Sequence, residues 1–120
     1  MKYFFDTYAI IEIIKKNKNY NRYEEEEIIT SILNVGELYY SLLKEKGEKT
    51  ADFWHESLKQ TAIVPDIETV RKAMKCRFEN KAKNFSFVDS VGYILAKERS
   101  LRFLTGDKAF EGFENVEFVK

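Results

Sequence analysis

Residues 2–11 read Lys2-Tyr3-Phe4-Phe5-Asp6-Thr7-Tyr8-Ala9-Ile10-Ile11, a short apolar and aromatic run that stops at an acid and passes at once into a helical stripe. The run 2–5 predicts a buried strand with Asp6 at its carboxyl end. Ile10, Ile11, Ile13 and Ile14 predict a helix ending near Lys16. The same succession repeats along the chain. Short apolar runs at 28–30, 62–64, 102–105 and 116–119 predict further strands, the one at 62–64 closed by Pro65. Between them lie amphipathic helices at 32–45, capped by Ser31 and stopped by Gly47, and at about 50–60, with Ala51, Trp54 and Leu58 on one side. Another helix is capped by Asp66, with Ile67, Val70, Met74 and Phe78 as its buried face, and a last one runs from Ser86 to about Arg99. The polar segment 17–23 reads as a loop, the acidic run 24–27 as a solvated helix end, and 80–84 as a polar break. Strands separated by helices need crossover connections, so the fold class is α/β: a three-layer sandwich whose mainly parallel central sheet carries helices on both faces. Ligands bind such sheets outside the carboxyl ends of the strands, where Asp6 and Asp107 fall.

At 120 residues the chain is expected to be one domain, 1–120, large enough for a core of its own. Hydrophobic residues at 44% and aromatics at 15% place it among globular rather than disordered chains. The single cysteine, Cys76, cannot form an internal disulfide, and the start lacks the layout of a signal peptide, which together imply the cytoplasm. No apolar stretch approaches the ~20 residues of a membrane span. Twenty basic residues balance twenty acidic ones, which excludes a general nucleic-acid binder held by net charge and leaves only local contacts. Basic residues cluster at Lys15, Lys16 and Lys18, at Arg71, Lys72, Lys75 and Arg77, and at Lys81 and Lys83, where they read as solvated faces.

The distribution of charge is more telling. Segments 3–11, 28–43 and 84–96 each hold one charged residue, and each time it is an acid: Asp6, Glu37 and Asp89. A fourth, Asp107, follows the apolar stretch Phe103-Leu104-Thr105-Gly106. A buried carboxylate costs several kcal/mol unless it is paired, protonated or bound to a metal, and none of the three segments contains a basic partner. Each acid but one has a plainer explanation. Asp6 serves equally as a helix cap, Asp89 as the acid of a Ser86-Phe87-Val88-Asp89 capping box, and Asp107 as a turn residue. Glu37, in mid-helix, has none. Taken together the four predict a shared divalent cation. Carboxylates without histidine or thiolate favour Mg2+ or Mn2+ over zinc. His55 and Cys76 lie in other segments and read as surface and core residues. No Ser or Cys nucleophile arrangement and no glycine-rich phosphate loop is present.

With Asp6-Thr7, Ser31-Ile32-Leu33-Asn34-Val35-Gly36-Glu37-Leu38, Phe87-Val88-Asp89 and Leu104-Thr105-Gly106-Asp107-Lys108-Ala109-Phe110 in view, the chain resembles the PIN-domain ribonucleases, and within them the VapC-type toxins of toxin-antitoxin pairs. The likeness covers nearly the whole chain, including the eighteen positions from Asp89 to Asp107. It implies a PIN-like fold and a metal-dependent endoribonuclease hydrolysing RNA phosphodiester bonds, held in check by a cognate antitoxin protein. It also implies Asp6, Glu37, Asp89 and Asp107 as metal-binding catalytic acids, with Thr105 supporting the site through its hydroxyl. Tyr8 stands where the family commonly has a smaller polar residue. Lys108 or the pair Lys15-Lys16 is placed by sequence proximity to hold the RNA backbone. Family members are often dimers, and Tyr39, Tyr40 or the Trp54 helix offers surface for such contact.

Two rival readings stay open at this point. One is a PIN-like fold used only to bind RNA or protein. The other is a domain with an aspartate phosphoacceptor, which the presence of Tyr8 two residues after Asp6, in place of a second acid, weighs against.

Overall fold

The computed structural model describes residues 2–120. Three strands, β1 (Tyr3–Phe5), β2 (Arg102–Thr105) and β3 (Val116–Phe118), form a parallel sheet in the order β1-β2-β3. Five α-helices accompany it: α1 (Thr7–Ile14), α2 (Ile32–Glu45), α3 (Glu48–Leu58), α4 (Ile67–Glu79) and α5 (Phe87–Glu98). The expected strands at 28–30 and 62–64 shrink to single parallel bridges, Phe4 to Ile29 and Ser31 to Ile63. They still extend the sheet past β1. The amide of Phe5 donates to the Ile29 carbonyl at 2.7 Å, and that of Ile63 to the Thr30 carbonyl at 2.9 Å. The 28–30 segment stops after one bridge as Ser31 caps α2, accepting from the amides of Leu33 and Asn34, which turns the chain out of the sheet.

Alternation along the strands divides the core in two. Phe4 and Phe103, paired in register, point to one face, where Val91, Tyr93 and Ala96 of α5 cover them. Phe5 and Leu104 point to the other, against Ala9 and Ile10 of α1 and Val35 and Leu38 of α2. The sheet is therefore covered on both faces. Gly92 lets α5 approach closely: a Cβ there would lie 3.0 Å from the Phe4 ring and 3.2 Å from the Phe103 ring.

Several expectations need correction. Segment 17–23 is not a plain polar loop. Lys18–Tyr23 forms a 3-10 helix capped by Asn17, and it buries Tyr20 and Tyr23 against the α1 face. Its aromatics are held by polar tips: the Tyr20 hydroxyl donates to the Val119 carbonyl at 2.6 Å and that of Tyr23 to Glu117 at 2.6 Å. The acidic run 24–27 follows that 3-10 helix as turn and bend rather than ending an α-helix. On α4 the buried residues are Thr69 and Ala73, whereas Ile67 is 78% exposed and Phe78 is 70% exposed. This helix packs on α5 through small side chains that allow close approach, tied by the Thr69 hydroxyl to Glu98 at 2.7 Å. Of the expected stripe, Val70 and Met74 are half-buried, Met74 against the core, while the two ends, Ile67 and Phe78, turn outward. Cys76 is half-buried rather than a core residue. Among the described residues no helix is long and apolar enough to cross a membrane.

Candidate active site

The order of parallel segments, Ile63, Ile29, β1, β2, β3, reverses direction relative to the chain between β1 and β2. Crevices form outside the carboxyl ends of strands at such a switch point. Asp6 directly follows β1 there, and Thr105 ends β2.

Asp6 is only 2% exposed. Its Oδ1 accepts from the Thr7 amide at 2.9 Å, the N-cap role expected of it, and its Oδ2 accepts from the Thr105 hydroxyl at 2.7 Å. Burial pushes its carboxyl up to about 8, the nearby negative charge of Asp89 adds to the rise and that of Glu37 adds less, while the hydrogen bonds from Thr105 and Thr7 oppose it. A phosphoacceptor aspartate must meet its donor in solution, so the burial and double hydrogen bonding of Asp6 disfavour that rival.

Glu37 projects from the middle of α2. Its Oε1 accepts from the Thr7 hydroxyl at 2.7 Å, and the Thr7 Oγ1 in turn accepts from Nδ2 of the fully buried Asn34 at 3.0 Å. The Ser31 hydroxyl donates to Asn34 Oδ1 at 2.7 Å. A relay of polar groups thus runs from the cap of α2 to Glu37. Burial raises the Glu37 carboxyl above its ordinary range, the Thr7 bond lowers it, and the charge of Asp89 raises it again. Asp89 closes the capping box of α5: its Oδ2 accepts from the Ser86 amide at 3.0 Å while its own amide donates to the Ser86 hydroxyl at 3.0 Å. The cap and the electrostatic contact with Asp6 and Glu37 coexist in one residue.

Asp107 is joined to the group through its backbone, its amide donating to Thr105 Oγ1 at 3.1 Å. Its carboxylate is turned to the Ala109 amide at 3.0 Å, capping the short 3-10 helix Lys108–Phe110. The charge of Asp89 is thus felt at both Asp6 and Glu37, and Thr105 stands between Asp6 and Asp107. The four acids do not make a ready-built cage: among the described residues no three His, Cys, Asp or Glu side chains stand close enough to hold an ion. None of the four forms an ion pair among the described residues. Chemically the group offers carboxylate and hydroxyl oxygens with no ion-paired cation among the described residues, which suits a hard divalent ion, but the acids must draw closer than they stand here to hold one.

Thr7 and Asn34 are the site residues that patterning passed over. The hydroxyl immediately after the strand-end acid and the amide three residues before Glu37 were the available signals. Their weight can be measured. Thr7→Val keeps the side-chain shape but strands the buried Asn34 amide and removes a donor from Glu37. The variant is expected to lose about 2 kcal/mol in urea unfolding. Unchanged stability would show that the relay carries nothing.

Tyr8 fills the space over Gly106. A Cβ at Gly106 would lie inside contact distance of both the Tyr8 ring and the Val119 carbonyl. The large residue at position 8 and the missing side chain at 106 thus fit each other. Lys15 and Lys16 are engaged by acids, with Glu12 at 3.6 Å and Glu24 at 3.8 Å, while Lys108 is exposed.

A PIN domain family model matches residues 3–116. Among solved structures, a toxin-antitoxin complex from Klebsiella pneumoniae is similar at 18% identity, over 97% of this chain and 96% of that one, with a TM-score of 0.76. VapC20 of Mycobacterium tuberculosis, described as a Sarcin-Ricin loop cleaving toxin, is 17% identical over 96% of this chain and 98% of that one, TM-score 0.75. VapBC2 from Rickettsia felis, bound to a promoter DNA fragment, is 19% identical over 100% of both chains, TM-score 0.73. At such identities the structural likeness speaks for the fold. No curated protein matches.

Proposed function

This chain belongs to the PIN-domain family, and on that premise we propose that it is a Mg2+- or Mn2+-dependent endoribonuclease, the toxin of a toxin-antitoxin pair working in the cytoplasm. The observation that carries the reading is Asp6: a carboxylate buried at the switch point of the sheet, raised to about 8 by its surroundings, with Asp89 and Glu37 as its charged neighbours and no cation to compensate them.

Asp6, Glu37 and Asp89 would hold the metal by drawing together from positions that do not yet form a cage, with Asp107 joining if its carboxylate leaves the Ala109 amide. When bound, the ion lowers the pKa of a coordinated water and stabilises the charge on the phosphoryl oxygens. The chain's own part is positional. The Thr105 hydroxyl fixes one oxygen of Asp6, the Thr7 hydroxyl fixes one of Glu37, and Asn34 prevents Thr7 from turning away. Asp89 is anchored by the amide of Ser86 at the start of α5. In this arrangement Asp6, Glu37 and Asp89 each keep one oxygen oriented before any substrate arrives.

The antitoxin assignment draws on the VapBC complexes among similar folds, and the RNA substrate on the toxin described as cleaving the Sarcin-Ricin loop. The test is incubation of purified protein with end-labelled RNA in Mg2+, in Mn2+ and in chelator. Cleavage with either metal and none in chelator supports the reading. Cleavage that survives chelation removes the metal mechanism, and binding without cleavage under every condition leaves a PIN-like binding module instead.

A further inference from the structure

The exposed Phe78 near the end of α4 and the basic residues around it remain without a role. Residues 75–83 carry Lys75, Arg77, Lys81 and Lys83 against the single acid Glu79, in a chain with no net charge. Farther up α4, Arg71 and Lys72 are taken by Glu68 and Glu98, but among the described residues those four basic side chains form no ion pair. The aromatic ring of Phe78 stands among them, 70% exposed, with the Lys81 ammonium 4.8 Å from its centroid. Met74, Arg77, Phe78, Lys81, Asn84 and Phe85 line a groove of about 380 Å³.

This turn adjoins the candidate active site. The Arg77 guanidinium donates through Nε to the Phe85 carbonyl at 2.8 Å, and the next residue, Ser86, donates its amide to Asp89 at 3.0 Å. The Phe78 ring is solvent-exposed with one face toward the Lys81 ammonium, beside a second lysine, Lys83, that lies over the Phe113 ring and forms no ion pair among the described residues. Such a surface matches one occupant well: a base takes the exposed ring once the flexible Lys81 side chain swings to a phosphate. Single-stranded nucleic acid offers flat bases that stack on such a ring and phosphates that displace counterions from the lysines.

We propose that the turn between α4 and α5 is a platform for the RNA strand running away from the acidic site, with a base stacked on Phe78 and phosphates held by Lys81 and Lys83. The proposal rests on the endoribonuclease reading for its substrate, and it adds the surface that extends the site beyond the scissile bond. A stacking platform tolerates any base, so this surface contributes affinity and direction rather than base specificity.

The test uses fluorescence anisotropy of a labelled single-stranded oligoribonucleotide, with Asp6→Asn throughout so that the probe stays intact. Phe78→Ala is expected to weaken binding about tenfold. Phe78→Tyr should bind like the parent, whereas Phe78→Leu should bind like the alanine variant, since leucine restores apolar area without a π face. Lys81→Ala with Lys83→Ala should lower the slope of log affinity against log salt by about 1.4, near 0.7 for each phosphate no longer neutralised. Rescue by leucine, an unchanged salt slope, or a change in sedimentation mass on Phe78→Ala overturns the platform, the last two by showing that the exposed ring serves a protein contact or nothing. Cleavage by the wild-type protein is read separately. A cleaving enzyme whose binding ignores Phe78 loses only this proposal, while Phe78-dependent binding in a protein that never cleaves leaves the platform and removes the nuclease.

Discussion

Asp6→Asn is expected to abolish RNA cleavage and, in metal-free buffer near pH 8, to make the protein more stable by a few kcal/mol. Both outcomes have one cause. In the folded protein the Asp6 carboxyl is raised from its ordinary 3.8 to about 8, chiefly by burial and then by Asp89. The folded state therefore holds a proton that the unfolded chain has already released, and each pH unit across that window costs stability on the order of 1.4 kcal/mol. The sign follows directly. Below the ordinary value the group contributes nothing, the loss grows as pH rises, and it levels off above about 8. Glu37 is shifted in the same direction, so it adds to the slope. Asparagine cannot ionise, which removes the Asp6 share while keeping an acceptor for the Thr7 amide. Part of the gain is offset because an amide in place of Oδ2 leaves the Thr105 proton without its acceptor.

Urea unfolding in chelator from pH 5 to 8.5 checks this. The wild-type protein should lose stability as pH rises, and Asp6→Asn should be flatter and more stable at the upper end. Added Mg2+ should then stabilise the wild-type protein increasingly with pH, because the ion and the proton compete for the same oxygen atoms. The variant should gain little. A wild-type protein that becomes more stable between pH 5 and 8 without metal, or a variant no more stable there, would contradict the buried, uncompensated acid on which the functional reading depends.

Gly106→Ala is expected to destabilise the protein by about 3 kcal/mol, a large share of the stability of a domain this size. The new Cβ would meet the Tyr8 ring and, on the other side, the backbone carbonyl of Val119. The ring can turn away, but the carbonyl belongs to the chain just past β3, held by the bond from the Val119 amide to the Thr105 carbonyl at 2.9 Å. Relief therefore requires moving a strand end. Thermal unfolding should fall by roughly ten degrees. Adding Tyr8→Ala should recover only part of the loss, since the backbone clash persists. A Gly106→Ala protein as stable as its parent would show that the close approach of Tyr8, Gly106 and Val119 is not present in solution. Because Gly106 separates Thr105 from Asp107, the same displacement is expected to lower cleavage more than the stability loss alone explains.

Much of the molecule was legible in the chain because the relevant signals are local. Ser31, Asp66 and Ser86 begin helices as their side chains and positions demand, accepting from amides two or three residues ahead. Single acids in otherwise uncharged segments singled out Asp6, Glu37 and Asp89 as candidates without any knowledge of where the segments lie. The alternation of strands and helices was enough for a parallel sheet with two covered faces. Local pattern misled where burial is shared between distant elements. Of the apolar stripe Ile67, Val70, Met74 and Phe78, the middle two are half-buried but the ends are exposed, because α5 needs a close neighbour and Thr69 and Ala73 provide the narrow seam. In segment 17–23 the two tyrosines are buried by packing with α1 and the sheet, and Val119 and Glu117, about a hundred residues on, receive their hydroxyls.

The amino-acid order by itself determined the five α-helices, the three strands of the sheet, the caps and the unusual placement of the acids, since each depends on spacings of one helical turn or less. It misled at 28–30 and 62–64, expected as strands, and at 17–23, expected as a loop. The tertiary structure alone decided that Thr7 links Asn34 to Glu37, that Thr105 bonds Asp6 across 99 positions, and that the acids approach without forming a finished cage among the described residues. Those bonds join the ends of strands and helices whose separation is set by sheet register and helix docking, which periodicity along a single segment does not encode.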